Sequence, residues 1–99
     1  MLFILKFTEE AEKDLNLLKL DAGAKSILKP VLRALGLMEV NLRHPSLNTH
    51  EFKGLKGPLG QKVFEAYAQQ NTPSAYRIIW CYGPDKNMLT IIAIVPHPD

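Results

Sequence analysis

A single cysteine, Cys81, is all the thiol chemistry in this 99-residue chain. It cannot close an internal disulfide, and in an apolar stretch it reads as a small buried hydrophobe in a reducing compartment, so a cytoplasmic location is expected. Without a second cysteine, and with His44, His50 and His97 at none of the short spacings of metal ligands, no metal site is expected. No phosphate-cradling motif is present either: Gly54, Gly57 and Gly60 lead into a strand rather than a helix, so no cofactor is expected. The longest apolar runs, such as Ile91 to Val95, are far too short to span a bilayer, and no membrane partner is expected. The opening residues Met1 to Lys6 lack the basic segment and small-residue cleavage site of a secretory leader. Ser26, Ser46 and Ser74 lie in surroundings that do not activate a nucleophile.

Charge of one sign is also lacking: the formal net charge is +2. Its distribution is uneven. Residues 1–22 set Lys6, Lys13 and Lys19 against five carboxylates, whereas residues 53–77 set Lys53, Lys56, Lys62 and Arg77 against Glu65 alone. The second segment can attract phosphates, although three lysines are also what a solvated loop carries.

With 46% hydrophobic and 22% charged residues, the chain has an ordinary globular composition, sized for one domain. Residues 2–7 read as a strand. Thr8 then caps a helix over 9–20, with Glu9 and Glu10 in its first turn, Ala11, Leu15 and Leu18 on one face, and Glu12, Asp14 and Asn16 facing away. Asp21 stops that helix and caps the next. From Ala22 to about Arg43, Ile27, Leu28, Val31, Leu32, Leu35 and Met38 recur with a helical period, with Pro30 expected to kink or restart the helix. The two helices form a hairpin. Residues 44–60, rich in Gly and Pro, read as a long loop. Three strands follow, over 61–69, 75–82 and 88–95, joined by the turns at 71–74 and 83–87 into an antiparallel meander. The expected architecture is therefore α+β, in the order β-α-α-β-β-β. An antiparallel sheet has the helical hairpin packed on one face, its other face is open, and residues 2–7 pair at one edge of the meander.

The feature with most chemical content is Tyr76-Arg77-Ile78-Ile79-Trp80, an arginine inside an apolar β-branched strand. An arginine keeps its charge, so a sheet position calls for a partner or a polar ligand. One reading pairs Arg77 with Glu65 across neighbouring strands as a structural device. The other starts from strand alternation, which groups Val63, Glu65 and Tyr67 on one face, Arg77 with Ile79 and Cys81 on another, and His97 in phase with Val95. If these faces coincide, the open side of the sheet gathers a carboxylate, a phenol, a guanidinium and an imidazole. A cofactor-free ribonuclease needs that set: a base for the 2′-OH proton, a fixed cation for the phosphate and an acid for the leaving oxygen. His97 suits either proton-transfer role.

Four local patterns in this order resemble the RelE/ParE superfamily of type II toxin–antitoxin toxins. They are the opening strand followed by Phe7-Thr8-Glu9-Glu10-Ala11-Glu12-Lys13-Asp14-Leu15, the element His50-Glu51-Phe52-Lys53-Gly54, the strand Val63-Phe64-Glu65-Ala66-Tyr67 and the strand Tyr76-Arg77-Ile78-Ile79-Trp80. The resemblance implies a small cytosolic toxin held in check by a cognate antitoxin protein. In the RelE branch such toxins cut mRNA on the ribosome without a metal. The resemblance then makes Arg77 the phosphate stabiliser, His97 the general acid or base, and Glu65 an orienting or second proton-transfer group. Lys53, Lys56, Lys62, Tyr67 and His50 are the residues expected to hold RNA. Tyr67 departs from the family pattern, standing where a basic residue is usual. The ParE branch implies the alternative of a DNA gyrase inhibitor on the same scaffold, and a third reading is a member that only binds its antitoxin.

Overall fold

A computed structural model describes residues 2–97; Met1, Pro98 and Asp99 lie outside the described residues. In chain order the elements are β1 (Ile4–Phe7), α1 (Glu9–Leu20), a 3-10 turn (Ala22–Ala24), α2 (Lys25–Val40), a second 3-10 turn (Pro45–Leu47), β2 (His50–Lys56), β3 (Lys62–Tyr67), β4 (Tyr76–Tyr82) and β5 (Met88–Pro96). The strands form one five-stranded sheet in the order β1-β5-β4-β3-β2, with both helices on one face. The α+β class, the helical pair on one face and the β3-β4-β5 meander follow the sequence reading.

Two features go beyond it. The sheet is mixed: β3, β4 and β5 are antiparallel, whereas β1 joins the β5 edge in parallel, with Leu5 opposite Leu89 and Phe7 opposite Ile91. Short turns force consecutive strands to be antiparallel, but no turn links β1 to β5, so its direction is free. The segment 44–60 is also not all loop. It contains β2, an exposed edge strand paired antiparallel with β3 and irregular between Glu51 and Lys56. That irregularity spaces its apolar residues, Phe52 and Leu55, by three instead of two, which hides the strand from a period-two reading.

Local signals fix the helices. The Thr8 hydroxyl accepts from the Ala11 amide at 3.1 Å and donates to the Ile92 carbonyl at 2.9 Å, so one residue caps α1 and ties it to β5. Asp21 caps the following turn through Gly23 at 2.8 Å. Asp14, expected to face away, instead accepts the Ile94 amide at 2.9 Å. Irregular pairing of β5 beside β4 at Ile79 and Trp80 marks the stretch of β5 that these two side chains hold. Pro30 lies inside α2 without ending it.

The core lies between helices and sheet: Val31, Ala34, Leu35 and Met38 of α2 and Ala11 and Leu18 of α1 meet Ile78, Trp80, Leu89 and Ile91. Leu32, expected in this face, is 45% exposed, because it falls one residue beyond the Val31–Leu35–Met38 stripe. The opposite face is thinner. It is covered by Val63, Ile79 and Cys81, with Ile92 and Ala93 packed beside them. Among the described residues, no helix is long and apolar enough to cross a membrane.

Candidate active site on the open face of the sheet

The register brings the expected faces together. Tyr67 on β3 stands opposite Arg77 on β4, Glu65 opposite Ile79, and Arg77 opposite Val95 on β5. Glu65, Tyr67 and Arg77 therefore share the helix-free face with the Val63–Ile79–Cys81 cluster. A pocket of about 370 Å³ opens there, lined by Phe52 and Leu55 of β2, Glu65, Arg77, Ile79, Ala93, Val95, Pro96 and His97.

Arg77 is the fixed charge of this pocket. It is 8% exposed, and its guanidinium carbon lies 3.6 Å from the centre of the Tyr67 ring. Nη1 donates to three main-chain carbonyls, those of Gln69 at 3.0 Å, Ala75 at 3.2 Å and Tyr76 at 3.3 Å, while the buried Nε has no protein partner. Stacking and these bonds hold the group in one pose. Among the described residues no carboxylate lies within ion-pair distance of it, and carbonyls solvate a guanidinium without cancelling its charge.

The expected Arg77–Glu65 pair does not form. Glu65, itself 5% exposed, bonds through Oε1 to His50 Nε2 at 2.8 Å. The other ring nitrogen of His50, Nδ1, lies 2.9 Å from the Asn48 carbonyl. A carbonyl can only accept, so Nδ1 carries a hydrogen. The contact with Glu65 then needs a second proton, either on Nε2 or on the carboxyl group. The His50 ring is further braced edge-on against Tyr67, with ring centres 5.8 Å apart. His50 joins this cluster because β2 is a strand: the register sets it directly opposite Glu65.

His97 lies at the end of β5 on the pocket wall, its amide donating to the Ala75 carbonyl at 2.9 Å. The three lysines fall elsewhere. Lys56 stands opposite Lys62 across β2 and β3, both exposed like Lys53, and none of the three lines the pocket. Phe52 and Leu55, which do line it, are not expected at the site from the sequence: Phe52 enters only within the His50–Gly54 pattern, and Leu55 follows it in a segment that reads as loop. Burial pushes the Cys81 thiol up from its ordinary value, leaving it protonated. Among the described residues, no three His, Cys, Asp or Glu side chains gather as metal ligands.

No protein-family model matches this sequence, and no curated protein does. Solved structures do match. A YoeB/ParE toxin from Agrobacterium tumefaciens superposes with a TM-score of 0.69 at 10% identity, covering 95% of this chain and 98% of the other. This is the RelE/ParE toxin fold. The Escherichia coli DinJ–YafQ toxin–antitoxin complex gives 0.67 at 13% identity, covering 98% and 94%. The archaeal RelE–RelB complex from Pyrococcus horikoshii gives 0.64 at 16%, covering 97% and 96%. At such identities the likeness is one of fold; the RelE-like scaffold of this chain carries its own set of side chains.

Proposed function

We propose that this protein is the toxin of a type II toxin–antitoxin system and that it is an endoribonuclease acting on mRNA, engaged at the ribosome. The observation that carries the reading is Arg77: a buried, stacked guanidinium, with no carboxylate within ion-pair distance among the described residues, in a pocket that also holds two separate proton-transfer groups. The fold shared with RelE, YoeB and YafQ toxins supports the toxin role, and the RelE–RelB and DinJ–YafQ complexes support a cognate antitoxin as partner.

In the reaction, a base removes the 2′-OH proton, and the 2′-oxygen attacks the adjacent phosphorus. The bond from phosphorus to the 5′-oxygen breaks, and an acid protonates that leaving oxygen. The products are a 2′,3′-cyclic phosphate and a 5′-hydroxyl. Arg77 meets the charge that builds on the phosphate. His97 and the hydrogen-bonded His50–Glu65 pair supply the two proton-transfer roles. Tyr67 holds Arg77 in place rather than reading RNA itself. Lys53, Lys56 and Lys62 hold the RNA backbone from outside the pocket, along the β2–β3 edge.

The test is induced expression with mapping of mRNA ends and, in the same cells, of DNA supercoiling. Cut transcripts and arrested growth are expected from the parent chain, and both are relieved in Arg77→Ala. Growth arrest with whole transcripts and altered supercoiling would refute the nuclease reading in favour of gyrase inhibition, for which no feature of the pocket argues.

A further inference from the structure

A second cavity is larger than the Arg77 pocket. It holds about 770 Å³ at the end of α2, on the helix-bearing side of the sheet. Its walls include Phe3 and Tyr82 with Asn41, Arg43, His44 and Asn48. Such a volume suits a nucleotide-sized ligand.

The composition of the walls narrows the ligand further. Tyr82 is 48% exposed, yet its ring is wedged edge-on against Trp80 at 4.9 Å and Phe64 at 5.7 Å, with Phe3 at 6.3 Å. It is an aromatic surface held by its ring neighbours and offered to the cavity. Arg43 is exposed and forms no ion pair among the described residues. His44 Nδ1 takes a hydrogen bond from the Ser46 amide at 3.1 Å. An amide can only donate, so the ring presents its hydrogen on Nε2. Asn41 and Asn48 add amide edges that both donate and accept. An aromatic platform, one free guanidinium and neutral groups that read hydrogen-bonding edges make the set that grips an unstacked nucleobase with its phosphate.

One residue links the cavity to the open-face site by a hydrogen bond. Asn48 lines the cavity, and the carbonyl of the same residue lies 2.9 Å from Nδ1 of His50, whose Nε2 contacts Glu65.

We infer that the cavity walled by Tyr82 and Arg43 is a second nucleotide site, where one unpaired base of a single-stranded RNA stacks on Tyr82 and its phosphate meets Arg43. For its place in RNA cleavage this rests on the nuclease reading, but the site itself is testable without cleavage.

The probes are adenosine 5′-monophosphate and a 2′-O-methyl hexanucleotide that cannot be cut, with emission of Trp80, the sole tryptophan, as readout. Both should change that emission. Tyr82→Ala should weaken binding about 5- to 150-fold, the effect of losing one stacked base, while Tyr82→Phe keeps it. Arg43→Ala, on an exposed segment where folding is safe, should lower the salt dependence of hexanucleotide binding by about 0.7 in log–log slope. Equal affinity in Tyr82→Ala and the parent would overturn the inference. So would an unchanged salt slope in Arg43→Ala, or protection of Tyr82 by a co-purifying protein with no effect of nucleotide. Nucleotide binding without any RNA cleavage would count against the nuclease reading and leave the cavity site standing; cleavage without mononucleotide binding would do the reverse.

Discussion

His50 and Glu65 illustrate how one contact changes the roles of two residues. His50 reads as an RNA-binding loop residue and Glu65 as a partner of Arg77, yet they bond to each other at 2.8 Å. If the pair works as one proton-transfer unit, His50→Ala and Glu65→Gln should each slow RNA cleavage by about 10²–10⁴. The double variant should then be scarcely slower than either, since groups acting as a unit are far from additive. Single-turnover rates of the four proteins check this, and additive losses would assign the two residues separate tasks. Cys81 tests the thin apolar layer beneath the pocket. Its thiol is fully buried and pushed up by that burial, so the reactive thiolate is scarce in the folded state. Labelling by a thiol reagent at neutral pH should be slow and should accelerate steeply with denaturant; fast labelling in buffer would place Cys81 at the surface.

At the scale of elements, α2 offers a direct comparison. Met38 is fully buried and Leu32 is 45% exposed, six residues apart on one helix. Met38→Ala should cost about 2–5 kcal/mol in denaturant unfolding, and Leu32→Ala well under that, because a partly solvated side chain leaves no cavity. Equal losses would mean the helix is rotated from its described position. Helical period identifies this face to within one residue, and it cannot do better when Val31 and Leu32 are adjacent and both apolar. Capping was legible as well: Thr8 and Asp21 are short polar residues ahead of helical patterns, and both cap. What escaped the sequence is long-range. Asp14 looks like a solvated helix residue until the irregular stretch of β5 brings the Ile94 amide to it. β2 is invisible because an irregular edge strand is held by main-chain pairing, with no apolar alternation to announce it. Losing β2 hid the placement of His50 beside Glu65 and of Phe52 and Leu55 in the pocket wall.

For the whole molecule, the sheet divides the work between two faces. The helix-bearing face holds the core and the Tyr82 cavity, and the open face holds a shallow apolar layer with the charged cluster above it. Arg77 could be read from sequence as out of place in its strand; its stacking on Tyr67 follows from strand alternation, but its choice of carbonyl partners required the turn between β3 and β4. The most direct test of the open face as a nuclease site is the single-turnover rate at which purified protein cleaves ribosome-bound mRNA, compared between the parent and Arg77→Lys. Lysine keeps the charge but cannot reproduce the planar stack on Tyr67 or the fork of donors. The rate should fall about 10²–10³-fold with the melting temperature nearly unchanged. Undiminished cleavage by Arg77→Lys, or intact mRNA with the parent protein, would contradict the assignment.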